Sequence, residues 1–142
     1  MNSDPARISE ASIGDVASVG IGITGDLVDP VAVSATVGLE ASRAWEKGHR
    51  YESRSGGTMK KHSGLWVVER RGEDVELVAL DLLAVLEPRA AAIRAAAKNA
   101  KATVSVGIWW EPEAGQGGFS VSADVLRRLS VLCERVDVYF PG

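Results

Sequence analysis

VGIGITG, residues 19–25, admits two readings. Gly20, Gly22 and Gly25 match G-x-G-x-x-G, the glycine fingerprint of dinucleotide-binding folds. Such a fold ends its strand before the first glycine and starts a helix near the last, so that helix-terminal amides meet the pyrophosphate. Here the apolar alternation runs straight through the motif: Val19, Ile21 and Ile23 alternate with Ser18, Gly20, Gly22 and Thr24. Period two marks a strand with one buried face. The helix signal comes only at Asp29-Pro30, an N-cap followed by proline at the first helical position. Glu40 follows a helix-stopping Gly38 and does not end an apolar second strand, so it is not placed to hold a ribose. The stretch therefore reads as a strand, and no dinucleotide cofactor is expected.

Outward from that strand, the pattern alternates between helix and sheet. Gly25-Asp26 turns the chain, and a short helix runs from Pro30 to Thr36 or Val37, stopped by Gly38. An extended piece near Trp45 to Glu52 leads into a glycine-broken loop. LWVVER, 65–70, is a strand and Arg71-Gly72 a turn. DVELVALDLLAVL, 74–86, has a helical stripe of Val75, Val78, Leu82, Val85 and Leu86, widened by Leu77 and Leu80. Pro88 ends or kinks this helix, and alanine-rich RAAAIRAAAKN continues as another. TVSVGIWW, 103–110, is a strand with Val104, Val106, Ile108 and Trp110 on one face and Thr103, Ser105, Gly107 and Trp109 on the other. EPEAGQGG, 111–118, reads as a flexible loop. Ser122 caps a helix to about Glu134 that buries Val125, Leu126, Leu129, Leu132 and Cys133. Val136, Val138 and Phe140 alternate in a last strand before Pro141-Gly142. SVGI occurs twice, at 18–21 and 105–108, each time opening a strand, a loop, a short helix and an extended segment. An old β-α-β duplication and a coincidence of strand composition both account for it.

These elements predict an α+β two-layer sandwich, with a mainly antiparallel sheet of about five strands and helices on one face. A ferredoxin-like variant is the specific expectation. Residues 1–12 are polar and expected to be a mobile tail; residues 13–142 form one domain. The chain has 142 residues, enough for one sizeable core.

Composition narrows the function classes. The net charge of −3 gives no overall push toward nucleic acid or an anionic membrane. A single cysteine, Cys133, rules out an internal disulfide and a cysteine-rich metal site; it lies in an apolar helical pattern and reads as a buried, inert thiol. No apolar run reaches the ~20 residues of a spanning helix, and MNSDPARISEAS lacks a signal-peptide layout. A cytoplasmic location is expected, and the alanine-, valine- and arginine-rich usage looks bacterial.

The order of elements carries a family resemblance. A helix ends in Gly38-Leu39, and AWEKGHRY follows with Trp45 and Gly48. A variable loop closes on SGLWVVE with Trp66. A leucine-rich helix, LEPRAAAI, a strand, and a terminal helix and strand ending in VDVYF complete it. Over about residues 16–140 this resembles the bacterial family termed domain of unknown function 4279. The family brings no established reaction, so the resemblance implies no catalytic residue, only a small cytosolic domain standing alone.

Two candidate sites emerge from the residues. Residues 43–64 carry six Lys or Arg (43, 47, 50, 54, 60, 61) against two Glu (46, 52), a local charge of +4 that leaves −7 for the remainder. Arg50, Arg54, Lys60, Lys61 and His62 are its candidate anion-binding residues; a solvated loop paired with the acidic remainder is the alternative. His49 and His62 among these cations make a poor metal site, and no metal is expected. RNA binding would need stacking aromatics, which Tyr51, Trp45 and Trp66 could supply, but no RNA-binding motif is present and nucleic acid is not favoured. The second candidate is a sheet face. If the strands at 16–24 and 103–110 are neighbours, Ser18, Gly20, Gly22, Ser105 and Gly107 line one face, with Trp109 at its edge. Small residues in strands often mark a close approach of backbone or ligand.

The leading expectation is a non-enzymatic binding domain, of the immunity or accessory kind, holding a protein or peptide partner through Trp109, Gly20, Gly22, Gly107, Trp45 and Trp66. The alternative is a small anionic-ligand module or minor enzyme using the basic segment. An open face or sheet edge would also allow a homodimer. No paired-carboxylate, Ser-His-Asp or Cys-His arrangement can be read out.

Overall fold

A computed structural model describes residues 16–113 and 117–140. The expected tail at 1–12, the middle of the 111–118 loop and the terminal Pro141-Gly142 lie outside them. In chain order the elements are β1 (Val16–Gly25), α1 (Pro30–Val37), β2 (Arg43–Trp45), β3 (Arg50–Glu52), β4 (Thr58–Lys60), β5 (Gly64–Gly72), α2 (Val75–Leu86), α3 (Ala90–Asn99), β6 (Thr103–Glu111), α4 (Ala123–Leu132) and β7 (Arg135–Tyr139). A single 3-10 turn, Glu87–Arg89, carries Pro88 between α2 and α3.

Five strands form one sheet in the order β2-β5-β1-β6-β7, and β3 pairs with β4 in a separate hairpin. Neighbours in the sheet are antiparallel except β6 and β7, which are parallel. Without β7, the order β2-β5-β1-β6 is the split β-α-β arrangement of a ferredoxin-like fold. Helix α4 then adds β7 beside β6, and the β3–β4 hairpin is inserted between β2 and β5. The two SVGI units diverge here: β1–α1 delivers its return strand across β5, whereas β6–α4 delivers β7 next door.

The helices cover one face of the sheet. Ala17, Val19, Ile21 and Ile23 of β1, Trp66 and Val68 of β5, and Val104, Val106, Ile108 and Trp110 of β6 form one core with Val33, Leu82, Leu83, Ile93 and Leu129 of the helices. Strand periodicity thus gives β1 a buried row, Ala17 to Ile23, that runs straight past Gly20 and Gly22; Gly25 closes the strand and is half-buried. Local capping follows sequence chemistry. The Asp29 carboxylate accepts from the amides of Val31 and Ala32, and Gly38 adopts a left-handed conformation with φ 78°. Ser122 caps α4 by accepting from Val125 N at 3.2 Å.

Three local expectations are corrected. β5 continues through Arg71 and Gly72 instead of turning there, because Arg71 and Gly72 pair with Ser18 and Ala17 of the longer β1. The extended piece at Trp45 to Glu52 is broken by Gly48 at φ 87°, and its second half folds onto β4 as a hairpin. Leu77 and Leu126 are solvent-exposed; the buried faces of their helices widen on the other flank in α2, through Ala79 and Leu83, and narrow in α4, which ends at Leu132.

Candidate functional site

The sheet face away from the helices is where the small residues gather. Strand alternation sends Ser18, Gly20, Gly22 and Thr24 of β1 to this face, and Thr103, Ser105, Gly107 and Trp109 of β6. The register then builds rows across the sheet. One row runs Arg71, Ser18, Trp109, Tyr139; the next runs Glu69, Gly20, Gly107, Asp137; the third runs Arg43, Val67, Gly22, Ser105, Arg135. The centre of every row is a glycine or serine, except where Trp109 closes one end. The result is a groove of about 320 Å³ with a floor of Gly20, Gly22, Ser18, Ser105 and Gly107. No helix or loop among the described residues lines it.

Its walls carry charge of both signs in matching positions. On one side Arg43 of β2 faces Glu69 of β5 at 3.7 Å; on the other Arg135 and Asp137 of β7 pair at 3.2 Å. Both arginines belong to one row and both carboxylates to the next. Exposed ion pairs contribute only about 0–1 kcal/mol, so these pairs add little to folding and can be re-paired by an incoming group at low cost.

The glycines answer to different constraints. A Cβ on Gly20 would stand 3.0 Å from the Glu69 Cβ and 3.3 Å from the Val68 carbonyl oxygen, so the neighbouring strand would have to give by a few tenths of an ångström. A Cβ on Gly22 would meet Val67 at an ordinary 3.6 Å, and on Gly107 it would touch the Tyr139 ring at 3.4 Å. Gly22 and Gly107 therefore leave space above the floor that the backbone does not demand.

The tryptophans divide by face. Trp109 is 39% exposed and lines the groove. Trp110 is buried, with the rings of Phe119 and Phe140 at 5.5 and 6.2 Å. Trp66, expected among the partner-contacting residues, has no exposed surface; its Nε1 donates to the half-buried Ser34 hydroxyl of α1 at 2.9 Å on the helix side of the sheet, so it takes no part in the face. Trp45 lies at the end of β2 and is turned to the hairpin. Its Nε1 donates to the Ser63 carbonyl at 3.1 Å, and its ring lies 3.7 Å from the Lys61 ammonium. Tyr51 covers the same ammonium at 4.2 Å.

The basic segment becomes an arm rather than one convergent site. Arg50 and Lys60 stand opposite each other across the hairpin. Lys61 projects to the other hairpin face, between Trp45 and Tyr51. Arg54 lies in the turn after β3, and His62 is exposed beyond β4. At the base of the arm, the Asp26 carboxylate accepts from Lys47 at 3.1 Å and Ser63 at 3.0 Å. These hydrogen bonds, the one from Lys47 foremost, hold its pKa below the usual carboxylate range. Among the described residues no group of three or more His, Cys, Asp or Glu is placed to hold a metal ion. Cys133, expected to be buried on the helix, is half-buried and lies just past the end of α4, which stops at Leu132; partial burial still pushes its thiol up, and its sulfur donates to the Leu129 carbonyl at 3.3 Å, which suits an inert thiol.

Arg43, Glu69, Arg135, Asp137 and Tyr139 were not foreseen at the groove. Their outward parity is visible in each strand, but which strands are neighbours is not.

The model of the family described as Domain of unknown function (DUF4279) matches residues 16–139, from the first residue of β1 to the last of β7. The chain belongs to this family. No curated protein and no solved structure matches it. The family's extent coincides with the sheet, so the groove lies wholly inside the family domain. No described helix is long and apolar enough to cross a membrane.

Proposed function

We propose that this member of the family is a non-enzymatic binding domain that takes a protein or peptide segment on its open sheet face. The groove carries this reading: a glycine and serine floor walled by two ion pairs and closed at one end by Trp109 and Tyr139. Strands lie about 4.7–4.9 Å apart, so the walls on β5 and β7 are separated by three spacings, about 14 Å. A helix with its side chains is about 10–12 Å across, and an extended segment is narrower, so both fit between them. The two wall arginines and two wall carboxylates offer such a segment partners of either sign. The setting we read for it is the bacterial cytoplasm, on composition and the single cysteine.

The test is capture from a lysate of the host with immobilised wild-type protein and with Trp109→Ala. Loss of the captured partner at an unchanged melting temperature supports the reading. Equal capture by both proteins, or the same loss from a variant on the helix side such as Leu77→Ala, sinks it.

A second reading rests on the arm. Arg50 and Lys60 are like charges directly opposite on paired strands, which disfavours the hairpin unless an anion joins them. Under this reading the arm holds an anionic ligand. Thermal shifts with inorganic phosphate, nucleotides and organic acids would separate the two; no shift with any anion removes this one.

A further inference from the structure

β7 ends the sheet, and no described residue pairs with its outer side. An edge strand exposes alternate backbone N–H and C=O groups that can pair with another chain. Proteins blunt such edges with very short strands, prolines, bulges or charged side chains, lysine above all; the two charges of β7, Arg135 and Asp137, are of opposite sign and so need not repel a second copy. The opposite edge is blunted: β2 has three residues and runs on into the hairpin arm. β7 has five residues, RVDVY, with no lysine, proline or glycine. Beside it are exposed apolar groups: Val138 is 45%, Tyr139 51% and Phe140 60% exposed.

We propose that β7 pairs antiparallel with β7 of a second copy of this chain, about a two-fold axis at Val136. The argument is charge register, and it rests on the edge rather than on the partner reading above. A two-fold at Val136 sets Arg135 opposite Asp137 of the second copy, and Asp137 opposite its Arg135. Opposite charges directly across a strand pair are favourable and like charges are not. Shifting the axis to Asp137 places the two Asp137 carboxylates against each other. Shifting it to Val138 sets Asp137 against Tyr139 and leaves Arg135 facing no carboxylate. Only the Val136 register extends the existing Arg135–Asp137 pair, 3.2 Å within one copy, into an alternating group of four charges. On the helix side Val136 meets Val136 of the second copy.

The consequence reaches the groove. Arg135, Asp137 and Tyr139 form its β7 wall. Pairing there joins two five-stranded sheets edge to edge, and each copy completes the wall of the other's groove. The two grooves become one continuous face.

Sedimentation velocity of the full chain over a concentration series tests this. A reversible dimer is expected, because a five-residue strand pair buries less than the interface of a tight complex. Asp137→Arg and Arg135→Asp, made separately, each place like charges across the axis and should return the monomer mass. The double exchange R135D/D137R restores opposite charges and should return the dimer. Circular dichroism melts show that each variant is folded, since these positions are at the surface. A wild type that stays monomeric at every concentration overturns the proposal. So does a dimer that survives both single variants, or one that the double exchange fails to restore.

Discussion

Gly20 and Gly107 stand directly opposite each other in the β1–β6 ladder, one from each copy of SVGI. They place two missing side chains at the middle of the sheet, on the face the helices leave uncovered. Gly20 and Gly22 of the opening motif therefore serve a sheet surface, and their spacing reflects strand alternation rather than a phosphate loop.

The two strand glycines should respond oppositely to alanine. Gly20→Ala forces Glu69 or the Val68 carbonyl aside, and overpacking of this kind costs about 1–3 kcal/mol. Gly22→Ala finds ordinary contact distances and trims unfolded-state freedom, so a change between zero and a gain of about 1 kcal/mol is expected. Urea unfolding of both variants measures this. Equal losses would show that the floor is one packed unit.

Gly64→Ala is the severest single change expected outside the hydrophobic side chains. Its Cβ would lie 2.9 Å from the Gly25 carbonyl oxygen and 3.0 Å from both Cβ and the carbonyl oxygen of Val28. All three positions are backbone or β-carbon, which cannot rotate away. The loss should exceed that of Gly20→Ala, as read from the same unfolding curves.

Adjacent tryptophans should separate stability from binding. Trp110→Ala removes a core ring and is expected to cost about 3–5 kcal/mol. Trp109→Ala removes a ring at the groove end and should leave the melting temperature within a few degrees of wild type. A large fall for Trp109→Ala would show that it supports Tyr139 and β7 structurally.

Acid should weaken one tertiary link in a defined direction. Arg128 of α4 donates two hydrogen bonds of 2.8 Å to Glu87, and the hydrogen bonding holds the Glu87 pKa below its ordinary value. A depressed folded pKa means stability that is present above the unfolded value and lost as pH falls through the folded one. The melting difference between wild type and Glu87→Gln should therefore be seen at neutral pH and vanish at acid pH. A difference that persists unchanged into acid would assign the effect to packing of the side chain.

What was legible in the sequence was what neighbouring residues decide among themselves. Asp29-Pro30, Gly38 and Ser122 mark helix ends because capping is settled within four residues. The alternation of β1 and β6 named their buried faces because a pleat has period two. What escaped depended on partners far along the chain. β5 outran its expected end because β1 offered it two more positions to pair with. Trp66 sat with Val68 as parity allowed, but only the placement of α1 made that the buried side. Arg43, Glu69, Arg135 and Asp137 come from three strands, and their meeting around the glycine floor follows from strand order, which local pattern does not encode. The five nominated anion-binding residues shared a segment, yet the hairpin distributes them over two faces, a turn and the stretch beyond β4.

The partition of the four tryptophans has a spectroscopic consequence. Trp66 and Trp110 emit from the dry interior, and Trp45 is held beside an ammonium group on the arm. Trp109 is the one indole lining the groove. Occupation of the groove would exclude water from that ring and shift its emission to shorter wavelength, while Trp66 and Trp110 report whether the chain is folded and Trp45 reports on the arm. The domain thus carries a built-in, label-free indicator of its own occupancy.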